Sequence, residues 1–111
     1  WGQPITNYIY HPQRRLDTTF GISYGDDTGK AMDIIRRELE AEPRCLADPE
    51  PFIGVINLGE SSVDIVVRVW VMNDDYWPTK FDLTRRIKEG FDEGGITIPF
   101  PVRTIYNTAA D

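Results

Sequence analysis

The chain carries a single cysteine, a single histidine and two methionines among 111 residues. A lone thiol, Cys45, excludes an intrachain disulfide, which fits a reducing compartment or a core that needs no bridge. The lone His11 stands beside Pro12 and reads as a surface linker residue, with no second imidazole for a metal cage. Arg44 precedes Cys45 and a guanidinium there can lower a thiol pKa, but no second cysteine or nearby histidine supports a nucleophile, so a reactive thiol is not expected. Cationic charge is also short. Twelve Lys and Arg against 18 Asp and Glu leave a formal net charge of -6, which argues against a nucleic-acid groove. There is no signal peptide, and no apolar run approaches the ~20 residues of a membrane helix. The glycines do not fall in a phosphate-cradling pattern, and no serine has a companion base motif. Asp26-Asp27 and Asp74-Asp75 lack the alternating acids around a glycine that mark a calcium loop, and helix capping explains both pairs. The expectation is a protein with no catalytic residue, no metal and no cofactor. The first residue is Trp1 rather than Met, so the chain reads as a processed or excised piece.

What the chain does have is one commanding strand pattern. Between Ser61 and Met72 every odd position is a β-branched aliphatic: Val63, Ile65, Val67, Val69 and Val71. Side chains alternate across a strand, so one face is wholly apolar. Burying each of the five contributes roughly 1.5–3 kcal/mol. The other face carries Asp64, Arg68 and Trp70 and cannot be packed dry. A sheet with helices on one face only is expected, its second face meeting water or another subunit.

In order along the chain, residues 5–10 have strand composition but no hairpin partner, and residues 12–13 form a hinge. Residues 14–24 alternate Leu16, Thr18, Phe20, Ile22 and Tyr24 against polar neighbours and read as a first strand. The Gly25-Asp26-Asp27 turn caps a helix over residues 28–42 with Ala31, Met32, Ile35 and Leu39 as its stripe and Ile34 on the flank. Asp33 and Arg37 form a supporting pair, and Pro43 ends the helix. Residues 52–58 form a strand joined to the central strand by a turn at Gly59-Glu60. Asn73-Asp74-Asp75 caps a second helix over residues 76–93, with Pro78 in its first turn and Leu83, Ile87 and Phe91 as its stripe. Gly90 costs about 1 kcal/mol there relative to Ala, and close approach to the sheet is the expected return. Gly94-Gly95 supplies a left-handed cap. Residues 96–98 read as a short strand, Pro99-Phe100-Pro101 as a stiff exit and residues 102–107 as a final strand.

The predicted order, strand–helix–strand–strand–helix–strand, is the split βαβ arrangement: an α+β, ferredoxin-like βαββαβ domain with two helices on one face plus terminal strand arms. The predicted division is residues 1–13 as the end of an upstream β-domain with its hinge, 14–101 as the α/β domain, and 102–111 as a strand and tail. Several features are hard to place in a monomer: the mixed face with Arg68 and Trp70, the Trp77 and Phe81 pair, and the two arms. Tyr8, Tyr10, Arg68, Trp70, Trp77, Phe81, Arg103 and Ile105 are accordingly the candidates for subunit contacts.

Three stretches resemble the small-conductance mechanosensitive channel (MscS) family. The first is Ile5-Thr-Asn-Tyr8 with Arg14-Arg15 and the run from Gly21 to Asp27. The second runs from Leu58-Gly-Glu-Ser-Ser-Val63 through Val67-Arg-Val-Trp70. The third is Asp82-Leu83, Arg86-Ile-Lys88, Phe91-Asp92, Gly95-Ile96 and Pro99-Phe-Pro101. The resemblance covers nearly the whole chain in order. It implies a homo-heptameric channel of the bacterial inner membrane that opens under bilayer tension and passes ions and small osmolytes on hypo-osmotic shock. This segment would lie on the cytoplasmic side, as part of the wall of a hollow vestibule that serves assembly and solute filtering. Residues 102–107 would join their equivalents in a small barrel. Membrane contact would come only through helices upstream of this chain, and nucleic acid is not an expected partner. Two other readings remain open. One is a soluble ferredoxin-like regulatory module with a small ligand between paired sheets, which needs a concave apolar pocket. The other is an RNA-binding domain, which needs exposed aromatics on a basic sheet.

Overall fold

The computed structural model describes residues 12–99. Its elements are strand β1 (Gln13–Ile22), helix α1 (Thr28–Glu40), strand β2 (Phe52–Leu58), strand β3 (Val63–Met72), a 3-10 turn (Asn73–Asp75) and helix α2 (Tyr76–Gly94). The sheet has the order β1-β3-β2, with both outer strands antiparallel to β3. β1 and β2 therefore run parallel with β3 between them, which is the split βαβ. This is the expected α+β, ferredoxin-like class.

The alternation in β3 decides which face is the core. Val63, Ile65, Val67, Val69 and Val71 are all buried. β1 matches them in register, pairing Leu16 with Val69, Phe20 with Ile65 and Ile22 with Val63, so its own buried residues fall on the same face. Ala31, Ile34, Ile35 and Leu39 of α1 and Leu83, Ile87 and Phe91 of α2 close the core from above. Ile34 belongs to the buried stripe, and Met32 is the partly buried flank, the reverse of the expected assignment. Phe20 meets Phe91 edge to face at 5.9 Å. α1 packs over β2, while α2 packs over β1 and β3.

Local chemistry explains where the helices begin and end. The Asp27 carboxylate accepts from the Lys30 amide at 3.1 Å, capping α1. Asp26 does something else: it accepts from the Thr97 amide at 2.6 Å. The second acidic cluster is no side-chain cap, because residues 73–75 wind into the 3-10 turn and Asp75 adopts helical angles with no cap bond. α2 ends at Gly95, whose φ of 77° is the left-handed conformation glycine adopts without strain. On α1, Asp33 pairs with Arg36 at 3.1 Å, one residue short of the expected Arg37.

Two further expectations are corrected. Residues 96–98 carry no regular structure. Ile96 is buried, and the segment is fastened by a bond from the Ser23 amide to the Thr97 carbonyl at 2.9 Å and by Asp26. One bond beyond the end of β1 does not make a ladder, so the sheet has three strands among the described residues. Gly90 permits close approach to α1 rather than to the sheet. A Cβ there would stand 2.8 Å from Ile34 Cγ2, and one at Gly94 would stand 2.8 Å from Ile34 Cδ1.

Candidate functional site

Among the described residues no group of three or more His, Cys, Asp or Glu side chains is placed to hold a metal ion. The one concentrated polar cluster lies where the end of α1 meets α2. Glu42 is 4% exposed, and both its oxygens bind Arg44, at 2.7 and 2.9 Å. Arg44 also reaches Asp82 on α2 at 2.8 Å, and Arg86 reaches Glu42 at 3.1 Å and Glu38 at 3.3 Å. A carboxylate taken from water survives ionised only with such partners. The hydrogen bonds and charge of Arg44, with the charge of Arg86, outweigh desolvation and hold the Glu42 pKa at about 2. Every charge in this cluster faces an opposite one, so it acts as a clamp between helices.

Cys45 lies next to that clamp, and burial rather than the neighbouring guanidinium governs its thiol. Burial, with the Glu42 charge second, pushes its pKa up to about 11, outweighing the Arg44 and Arg86 guanidinium groups. Cys45 instead bridges to Val71 at the end of β3, and the Leu46 amide donates to the Trp70 carbonyl at 2.8 Å. An open groove of about 590 Å³ lies beside it, floored by Leu39, Cys45, Leu46 and Ile53. Arg36, Glu40, Glu42 and Glu50 are its charged lining residues, and the Glu42 carboxylate is already bound by Arg44 and Arg86.

The uncovered sheet face is mixed as the sequence required. Asp17 faces Arg68, and Arg15 faces Trp70, across the β1–β3 ladder. Ser62 and Asn57 donate to Asp64 at 2.7 and 3.1 Å, which lowers the Asp64 pKa, the Ser62 bond most. The Arg68 guanidinium lies 5.9 Å from the Phe52 ring. Arg68 and Trp70 are half-buried within their own sheet.

Trp77 and Phe81 are a different matter. They are 52% and 64% exposed on the first turns of α2, ring to ring at 5.8 Å. Lys80 lies 5.4 Å from the Trp77 ring, and Arg14 stacks on the neighbouring Tyr76 ring at 3.7 Å. The result is an exposed aromatic pair with charges of both signs around it, since Asp74, Asp75 and Asp82 flank it as well. Tyr8, Tyr10, Arg103 and Ile105, with His11 and the expected strands over residues 5–10 and 102–107, lie outside the described residues.

A second apolar surface went unread in the sequence. β2 is an edge strand, and it exposes Phe52 (53%), Val55 (46%), Ile56 (53%) and Leu58 (68%). A bulge between Val55 and Asn57 shifts the register there and turns Ile56 outward. From Pro51 to Gly59 the sequence holds no charge at all, whereas Glu50 and Glu60 bracket it. Edge strands of monomeric proteins ordinarily carry charges that blunt them. β1, the opposite edge, does so with Arg14, Arg15 and Asp17.

A family model described as "Mechanosensitive ion channel MscS, C-terminal" matches residues 16–98. A protein of Archaeoglobus fulgidus, described as an uncharacterized MscS family protein, is 45% identical over 102 residues, covering 92% of this chain and 36% of its own length. A small-conductance mechanosensitive channel of Edwardsiella ictaluri is 34% identical over 102 residues, with the same coverage of 92% and 36%. The crystal structure of Helicobacter pylori MscS in its closed state superposes with a TM-score of 0.77 at 28% identity, covering 82% of this chain and 36% of that one. The chain thus spans about a third of the length of these relatives.

Proposed function

The chain belongs to the MscS family of mechanosensitive channels, and from that premise we propose that it is a wall segment of the channel's cytoplasmic vestibule. In this reading, copies of the domain surround a hollow compartment on the cytoplasmic side of the bacterial inner membrane. The assembly is a homo-heptamer through which ions and small osmolytes pass during hypo-osmotic shock. Residues 1–13 lead in from an upstream β-domain, and residues 102–111 supply a strand to a shared barrel. The work of the segment is assembly and filtering of solutes, with no reaction of its own. A net charge of -6 on each copy would bias which ions accumulate near the pore.

The observation that carries this reading is the extent of the family match. Residues 16–98 run from within β1 through every later element to the end of α2, together with the buried Ile96. The arrangement of surface agrees with it. One sheet face is sealed by helices, the other is polar enough to face water, and two apolar patches remain for neighbours.

The test is physiological. The longer channel polypeptide that contains this chain is expected to restore survival of channel-deficient bacteria on transfer from high to low osmolarity. A well-expressed, membrane-inserted protein that leaves survival unchanged would overturn the assignment.

A further inference from the structure

The turn between β1 and α1 is a crossing point for the chain. The Tyr24 hydroxyl donates to the Gly59 carbonyl in the β2–β3 turn. Asp27 caps α1 through the Lys30 amide. Two more residues of the same turn hold Thr97. The Ser23 amide donates to the Thr97 carbonyl at 2.9 Å, and the Thr97 amide donates to the Asp26 carboxylate at 2.6 Å. Asp26 has no task in the helix, because the cap belongs to Asp27. Its carboxylate instead reaches a residue 71 positions away in sequence. A bond from an amide to an ionised carboxylate is of the stronger kind.

The fastening is concentrated on that one residue. Before Thr97, the Gly95 and Ile96 amides bond back to the Asp92 and Phe91 carbonyls of α2, and the Ile96 side chain enters the core. After it, Pro99 and Pro101 have no amide hydrogen to donate, so the sequence does not let the fastening continue as a ladder. Thr97 itself is exposed. A segment held by few, exposed backbone bonds opens locally before the core beneath it does.

We propose that residues 96–98 form a strap that Asp26 clasps to the β1–α1 turn, so that Asp26 is a positioning residue for the point at which the chain leaves the domain. Fastened, the strap keeps Ile96 in the core and the exit begins at Thr97. Released, Ile96 withdraws and the held point moves back to Gly95. The exit then gains two residues, about 7 Å of extended chain. The departing segment thus has two lengths, and one carboxylate selects between them. The strap is a property of this chain alone and does not depend on the vestibule reading.

The experiment is amide hydrogen exchange in the full-length channel, read at single residues by mass spectrometry. The informative amides are Ser23 and Ile96, whose own bonding groups no substitution at Asp26 touches. Asp26→Ala is expected to speed exchange at both by about tenfold, the equilibrium shift of one lost hydrogen bond. The β3 amides of Val67 and Val69 are expected to keep the parent rate. Asp26→Asn retains an acceptor oxygen and is expected to fall between the parent and Asp26→Ala. Unchanged exchange at Ser23 and Ile96 in Asp26→Ala would overturn the clasp. So would equal acceleration in β3, which would make Asp26 a contributor to overall stability only, and so would an Asp26→Asn variant no slower than Asp26→Ala.

Discussion

Ile34 of α1 occupies the space that a side chain at position 90 of α2 would need: a Cβ on Gly90 would stand 2.8 Å from Ile34 Cγ2. The helices approach this closely because Gly90 and Gly94 leave a shallow track along α2. The exception to helix propensity is thus local and has a single named partner.

Gly90→Ala is therefore expected to destabilise the domain by about 1 kcal/mol. Overpacking of about 1–3 kcal/mol outweighs the ~1 kcal/mol that alanine gains in a helix. In an Ile34→Ala background the same change is expected to turn neutral or stabilising. Urea unfolding of the four variants measures the cycle, and a stabilising Gly90→Ala in the parent sequence would refute the packing argument.

The two acidic clusters should respond differently to mutation. Asp27→Ala removes the cap on the Lys30 amide and is expected to cost about 1 kcal/mol. Asp75→Ala removes no cap bond and is expected to change stability by less than about 0.5 kcal/mol. Thermal unfolding of the two variants in parallel tests the distinction, and equal losses would contradict it.

Glu42 sets an acid limit on stability. Its pKa is lowered from 4.5 to about 2 in the folded chain, so the folded state favours the ionised form. Its contribution is complete above about pH 5 and is lost as pH falls from there toward 2. The magnitude is on the order of 3 kcal/mol at 1.36 kcal/mol per pKa unit. Glu42→Gln is expected to cost several kcal/mol at pH 7, because Arg44 and Arg86 lose their shared partner, and far less at pH 3. Denaturant midpoints across pH 2–8 read this out, and a pH-independent cost would count against the clamp.

Cys45 is expected to be a slow nucleophile. A thiol pKa raised to about 11 leaves roughly 100-fold less thiolate at pH 8 than one near 9. Alkylation by iodoacetamide should be slow in the folded protein and accelerate sharply in urea. Equal rates in the two states would show that the thiol is neither buried nor shifted.

The fold was legible where one periodicity had one explanation. The odd-numbered residues of β3 could only line a core, and Gly95 past a helical stripe could only be a cap. Reading failed where the same residues serve two geometries. Residues 96–98 alternate as a strand would, yet Ile96 plugs the core and Thr97 is held by Asp26 from the far side of the sequence. Gly90 announced a close approach without naming its partner, and the partner is a helix. Arg44 beside Cys45 gave no hint of its own partners: the guanidinium turns to Glu42 and Asp82, and burial decides the thiol. The β2 surface was hidden for a simpler reason. Phe-Ile-Gly-Val-Ile-Asn-Leu is almost wholly apolar, and nothing in its pattern says which side of it stays bare; its place at the margin of the sheet is what leaves Phe52, Val55, Ile56 and Leu58 exposed. On α2 the opposite holds, since Trp77 and Phe81 fall off the buried stripe and their exposure could be read from spacing.

Pro12 is pinned to Asn73 at the start of β1, and Thr97 is pinned to Ser23 just beyond its end. The polypeptide therefore comes in at one end of β1 and goes out at the other, roughly 30 Å away along the strand. A pull between these two points would load the β1–β3 ladder lengthwise, so that its rungs must slip together rather than open one by one. In the wall proposed above, that orientation would make each panel a tie-rod.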